Sequence, residues 1–162
     1  MLSRRILILN PSAVKKSVVK LNNYRLTFAG PHTEVLSSRW QGYAATIVPD
    51  MNSHVWGVLW ELQACDQTSL DKQEGVPDWY RRIEVKVSFP DGEREIEAVS
   101  YEQVDYEGDR IPSAVYHHVI LSGAKEHNVP ADYLNRLRGI ENNGNTGDPA
   151  ICPIDWDSVK DV

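Results

Sequence analysis

The chain has 162 residues, 41% of them hydrophobic and 25% charged, which is the composition of a globular protein with one buried core. That excludes a disordered tail, a collagen-like rod and a small disulfide scaffold. Seventeen basic against 23 acidic side chains leave a formal charge of −6, which argues against nucleic acid or an anionic membrane as the main partner.

In chain order, Leu2, Ile6 and Leu9 recur at helical spacing and predict a short helix over 2–9. Asn10-Pro11 ends it, because the residue before proline is pushed out of the helical region. Val18 to Phe28 reads as a strand, broken by Gly30-Pro31. Residues 32–41 are polar and read as a loop carrying Trp40. A second strand is predicted from Gly42 to Val48, turned over by Pro49-Asp50-Met51-Asn52. His54 to Leu62 alternates, with Trp56, Val58, Trp60 and Leu62 on one face and Val55, Gly57 and Leu59 on the other. Such two-sided apolarity predicts a central strand covered on both faces, with Trp56 and Trp60 in the core.

Residues 66–74 read as a short helix with Asp66 or Thr68 as N-cap and Gly75 as the stop. Tyr80 to Phe89 alternates again, with Ile83, Val85, Val87 and Phe89 inward. Pro90-Asp91-Gly92 is a hairpin signal, and residues 94–102 return as its partner strand. After a turn over 108–112, Val115, Val119, Ile120 and Ala124 predict a helix over 113–126. Asn128-Val129-Pro130 separates it from a last helix, Ala131 to Glu141, with Leu134, Leu137 and Ile140 along one side. Residues 142–150 are turn-rich, and a tail from Ile151 carries Asp155, Asp157 and Asp161. Strands first and helices last predict an α+β fold, with one domain over 1–150 and an acidic tail over 151–162.

Several chemistries are excluded by what the sequence lacks. No run approaches the ~20 apolar residues that span a bilayer, and no signal-peptide pattern follows Met1, so a cytoplasmic location is expected. Cys65 and Cys152 are too few for a disulfide framework. There is no phosphate-binding G-x-x-x-x-G-K-[ST] and no G-x-S-x-G elbow. Gly139, Gly144 and Gly147 neither follow a strand nor open a helix, so no dinucleotide site is expected. His32, His54, His117, His118 and His127 show no metal-ligand spacing. On a helix, the adjacent His117 and His118 point about 100° apart, so no metal site is expected.

One carboxylate stands out. Glu74 sits in Gln73-Glu74-Gly75, in the last turn of a predicted helix, where the negative end of the dipole disfavours its ionised form. Asp71, one turn back, adds like-charge repulsion. Both effects push a carboxyl group toward the range useful for moving a proton at neutral pH. Tyr80, Tyr101 and Tyr116 begin or end predicted elements, where side chains can converge on the rim of a cleft.

The stretches Asn10-Pro11-Ser12-Ala13, Val55-Trp56-Gly57-Val58-Leu59-Trp60 and Ser69-Leu70-Asp71-Lys72-Gln73-Glu74-Gly75-Val76 resemble the γ-glutamylcyclotransferase family, with its AIG2-like fold. So do Ile83-Glu84-Val85-Lys86-Val87, Ser100-Tyr101 and Gly123-Ala124-Lys125-Glu126. The resemblance runs from residue 1 to about residue 148. It implies a small mixed β-barrel with flanking helices, usually a homodimer, that needs no metal or cofactor. It further implies a small-molecule γ-glutamyl substrate, converted to 5-oxoproline and a free amine. The family's catalytic glutamate falls on Glu74, and its pocket residues on Tyr80, Tyr101 and Tyr116.

The family's N-terminal strand, ending in a Tyr-Gly-Ser-Asn turn whose amides cradle the substrate, falls ahead of Met1 in this numbering. The expected barrel therefore lacks its first strand. Two functions follow. The first is a γ-glutamylcyclotransferase with Glu74 as general base and then acid. The second is a non-catalytic binding or interaction protein on the same scaffold.

Overall fold

Strand β1, Val14–Ala29, and strand β2, Ala44–Glu61, form one long antiparallel hairpin in a computed structural model that describes residues 6–7, 9–30 and 40–147. Their register runs from Val14 opposite Glu61 to Ala29 opposite Ala44. The turn expected at 49–52 does not reverse the chain. Asp50 makes the local turn, accepting hydrogen bonds from the Asn52 N–H at 3.2 Å and the Ser53 hydroxyl at 2.8 Å. The chain then rejoins the same partner, so Asn22 faces His54 and Tyr24 faces Pro49. Turn residues have produced a bulge, and what reads as two strands is one. Opposite it, Asn23 adopts φ 63°, a left-handed conformation that asparagine tolerates. The irregularity switches parity along β1: Val19 and Leu21 face the core before it, Tyr24 and Leu26 after it.

Strands β3, Tyr80–Ser88, and β4, Glu95–Gln103, pair antiparallel through the predicted hairpin at Pro90-Asp91-Gly92. The sheet order is β2-β1-β3-β4. Two expectations change here. β2 is an edge strand rather than a central one, and Trp56 and Trp60 are half-buried rather than core. Nor does the sheet close into a barrel of mixed strands: every described pairing is antiparallel, and β1 meets β3 through only Lys20–Ser88 and Leu21–Val87. Closure requires a continuous staggered ladder. Instead the ends of β4 and β2 are joined by side chains, with the Gln103 N–H donating to Thr46 Oγ1 at 2.9 Å. The α+β class stands.

Three helices are described: α1, Ala64–Glu74; α2, Ala114–Glu126; and α3, Ala131–Arg138. Helix α1 starts earlier than predicted, after Gln63, because Asp66 is not a cap. Its carboxylate accepts from the Ser12 N–H at 2.9 Å and the Ser12 hydroxyl at 2.5 Å, tying α1 to the start of β1. Helix α3 ends at Arg138, short of Glu141. Ile6, Leu7 and Leu9 are helical as predicted; the rest of 2–9, most of the loop over 32–41, His32, Cys152 and the tail over 151–162 lie outside the described residues.

Val19, Leu21, Val85 and Val87 form one buried cluster between β1 and β3, joined by Ile83 and Phe89 as predicted. Leu121 and Ala124 of α2 form a second with Tyr133 and Leu137 of α3, and Val55 packs against both. Buried His117 locks α2 to α3: its Nε2–H donates to the Leu137 carbonyl at 2.7 Å while Nδ1 accepts from Asn142 at 3.3 Å.

The segment between β4 and α2 is strapped to β1 by Asp109. Its carboxylate accepts from Arg25 at 2.8 Å, Thr27 at 2.7 Å and the Tyr106 phenol at 2.6 Å. These donors, Arg25 foremost, pull its pKa down to about 2. A carboxylate with a lowered folded-state pKa stabilises above its unfolded value and loses that contribution as pH falls through the folded value. Asp109→Asn is expected to cost about 1 kcal/mol at pH 7, the smaller end of the range because the carboxylate is partly exposed. In urea titrations the gap between parent and variant should narrow as pH drops from about 4 to about 2, within the carboxylate range.

Candidate active site

The last turn of α1 is set by Gly75, which adopts φ 72° and ψ 36° and ends the helix with its N–H bonded back to Lys72. Val76 N–H reaches the Asp71 carbonyl at 3.0 Å, completing a left-handed stop of the kind glycine favours. A Cβ at this position would also lie 2.8 Å from Trp79 Cδ1. The Gly75 stop was legible in the sequence for this reason. It leaves Glu74 half-buried at the helix end, one residue before the reversal that leads into β3.

Asp71, one turn back from Glu74, carries contacts that helical spacing did not predict. It accepts a 2.7 Å hydrogen bond from the Tyr101 phenol, and Arg82 Nε lies 3.6 Å from the same oxygen. Gln67 stands 3.4 Å from that oxygen and 3.5 Å from the phenol. Burial pushes the Tyr101 pKa up, and the Asp71 hydrogen bond and charge push it further, with Glu74 adding to the rise. The phenol therefore remains a donor at all physiological pH. Glu74 and Tyr101 lie within electrostatic reach of one another across the gap between α1 and β4.

The other two tyrosines meet at Ala45, near the start of β2. The Tyr80 phenol donates to the Ala45 carbonyl at 2.8 Å, and the Tyr116 phenol accepts from the Ala45 N–H at 3.2 Å. Tyr116 is held in turn by a ring contact with Trp40, centroids 4.8 Å apart, and an edge contact with Phe28 at 6.2 Å. Its helix begins at Ser113, whose hydroxyl accepts from the Tyr116 N–H. Gly42 permits that start, because a Cβ there would overlap the Ser113 backbone nitrogen. In the β3/β4 ladder Tyr80 faces Gln103 and Tyr101 faces Arg82, so the two tyrosines are diagonal neighbours on one face, a spacing of roughly 7–8 Å.

Glu74, Tyr101, Tyr80 and Tyr116 thus form a strip running from the end of α1, across β4 and β3, to β2 and α2. The structure sets Tyr101 beside the acids of α1, and Tyr80 and Tyr116 on a shared backbone unit. Sequence reasoning missed Arg82, Gln67, Gln103 and Trp40. None stands in a motif, and each depends on register or on a long-range contact. Among the described residues no group of three His, Cys, Asp or Glu side chains could hold a metal ion, and no helix is long and apolar enough to cross a membrane.

Comparison with known proteins decides the family. The sequence model of the AIG2-like family matches residues 54–137. γ-Glutamylcyclotransferase from Bos taurus is 42% identical over 148 residues, covering 91% of this chain and 77% of the relative. The Homo sapiens protein of that name is 39% identical over the same length and coverage. This chain belongs to the AIG2-like family of γ-glutamylcyclotransferases. A solved γ-glutamyl cyclotransferase structure superposes with a TM-score of 0.84 at 37% identity, covering 99% of this chain and 93% of that one. The resemblance read from the motifs around Trp56 and Glu74 is therefore borne out, and nothing in these comparisons favours the non-catalytic alternative.

Two measurements test the local geometry. Asp71→Ala should lower the Tyr101 phenol pKa toward the ordinary tyrosine value, followed by NMR of ring-labelled tyrosine; an unmoved titration would contradict the bond's role. Gly75→Ala should destabilise the fold by more than about 1 kcal/mol in urea, since alanine at positive φ is strained and its methyl meets Trp79.

Proposed function

We propose that this chain converts γ-glutamyl amino acids to 5-oxoproline and the free amino acid, with Glu74 as general base and then general acid. The observation that carries the reading is its 39–42% identity, over nine-tenths of the chain, to proteins named γ-glutamylcyclotransferase. The position of Glu74, at a helix stop within electrostatic reach of a phenol whose pKa is pushed up by burial and by Asp71, supports its part in the chemistry.

In the reaction the α-nitrogen of the γ-glutamyl group attacks the γ-carbonyl carbon, forming the ring C–N bond as the original amide C–N bond breaks. On the way to the lactam N–H the α-ammonium must lose two protons, one before the attack and one after it, and the departing nitrogen must gain two to leave as an ammonium. One carboxylate that faces both nitrogens in turn does both, so no outside acid is needed. Holding amine and carbonyl in contact supplies roughly 7–11 kcal/mol of the barrier in favourable cases. The Tyr101 phenol, its one O–H donated to Asp71 and its pKa pushed up by burial, sets an uncharged side chain within electrostatic reach of the Glu74 carboxylate. Tyr80 and Tyr116 hold the Ala45 backbone and shape the wall next to it. A homodimeric, cytoplasmic enzyme belongs to the same proposal, on the family resemblance.

Incubation with γ-glutamyl-alanine should release alanine and 5-oxoproline. Glu74→Gln should reduce kcat by about 10²–10⁴-fold, the span of general acid–base catalysis, with an unchanged melting temperature. Full activity in that variant would remove Glu74 from the mechanism, and no turnover by the parent chain would remove the enzyme reading altogether.

A further inference from the structure

Helix α1 presents polar side chains along two faces. Asp66, Ser69 and Gln73, at i, i+3 and i+7, share one of them. Gln67, Asp71 and Glu74 share the other, roughly a third of a turn around the axis, where Asp71 and Gln67 meet Tyr101. The first face is bound along its length to the segment ahead of β1. Asp66 accepts from the Ser12 N–H and hydroxyl, and Ser69 Oγ donates to the Leu9 carbonyl at 3.0 Å. Gln73 Oε1 accepts from Asn10 Nδ2 at 3.2 Å.

Of these three contacts, only the Gln73 bond lies in the last turn, one residue before Glu74. Its partner is firmly seated. Asn10 is fully buried, and Nδ2 also donates to the Ile6 carbonyl at 3.2 Å. The Asn10 backbone N–H bonds to the same carbonyl at 2.9 Å, and its own carbonyl accepts from Ala13 at 3.0 Å. Yet Asn10 Oδ1 and Gln73 Nε2 are both buried with no hydrogen-bond partner among the described residues. Two apolar side chains of the same shape would fill this space without leaving a buried donor and a buried acceptor unbonded. A bond that is directional but incompletely satisfied is suited to fixing orientation rather than to adding stability.

We propose that Asn10 and Gln73 are positioning residues: their side-chain bond sets the rotation of the last turn of α1 and so aims the Glu74 carboxylate at the reacting nitrogens. Successive residues of a helix are about 100° apart, so fixing Gln73 against Asn10 fixes the direction in which Glu74 leaves the axis. A misplacement of about 1 Å at the reacting groups costs on the order of 10²-fold in rate. The inference rests on the proposed catalytic role of Glu74.

The half-buried Gln73 is the position to change, because its replacement leaves the fully buried Asn10 in place. Gln73→Met keeps the length and bulk of the side chain and removes the acceptor. Its kcat for γ-glutamyl-alanine should fall by about 10- to 100-fold with KM within about twofold of the parent, a split that a loss of stability alone would not produce. Gln73→Glu, whose carboxylate accepts the same Asn10 N–H, should recover most of that kcat. A crystal structure of Gln73→Met should show the Glu74 carboxylate displaced by about 1 Å or more, and one of Gln73→Glu should show it back in place. Parental kcat in Gln73→Met, an unmoved carboxylate, or no recovery in Gln73→Glu overturns the proposal. Lost turnover in Glu74→Gln beside parental turnover in Gln73→Met rejects the positioning alone. Parental turnover in Glu74→Gln beside a displaced carboxylate in Gln73→Met rejects the catalytic reading, and the aiming with it.

Discussion

Ala45 is held at both of its polar backbone groups by tyrosine phenols, one from the first residue of β3 and one from the first turn of α2. The two tyrosines that meet at this residue are 36 positions apart in sequence, on elements that share no ladder. With β1 and β3 joined through only two register pairs, these phenols and the Gln103–Thr46 bond hold the β3/β4 ribbon against the start of the long hairpin. The β3/β4 ladder makes Tyr80 and Tyr101 neighbours, and the join at Ala45 adds Tyr116 to them.

A second constraint acts at the other end of the strip. Helix α1 is mostly polar and buries only Asp66 fully, so apolar burial does little to fix its orientation. Polar contacts from its carboxylates do that instead. Asp66 holds Ser12 at one end, and Asp71 holds Tyr101 near the other. Hydrogen bonds to charged groups are stronger than those between neutral groups, and two of them orient this one short helix. The outcome is a carboxylate, Glu74, presented at a helix end whose position is set by its neighbours rather than by its own packing.

Much of this was legible in the residues. Alternation at Tyr80–Phe89, the Pro-Asp-Gly hairpin and the glycine stop after Glu74 are local signals, and the structure follows each. The misread turn at 49–52 shows where local signals fail. Asp50 does make turn hydrogen bonds, but whether a turn reverses a chain or bulges a strand depends on what lies opposite it, here Asn23 in a left-handed conformation. The bond from Tyr101 to Asp71 was out of reach of the sequence for a similar reason, since helical spacing carries no information about a phenol 30 residues away on another strand.

By itself the sequence determined the α+β class, the helix that ends at Glu74, the inward face of β3 and, through the motifs around Trp56 and Glu74, the family. These follow from hydrophobic period, backbone preference and short-range motif, each of which acts over a few residues. Only the tertiary structure decided that β2 is one bulged edge strand, that the sheet is joined by side chains rather than closed, and that Asp71 serves Tyr101. It alone left the Gln103 amide oxygen buried with no hydrogen-bond partner among the described residues. Those features arise from register and from contacts between distant segments, and no local preference encodes which distant group a side chain will meet.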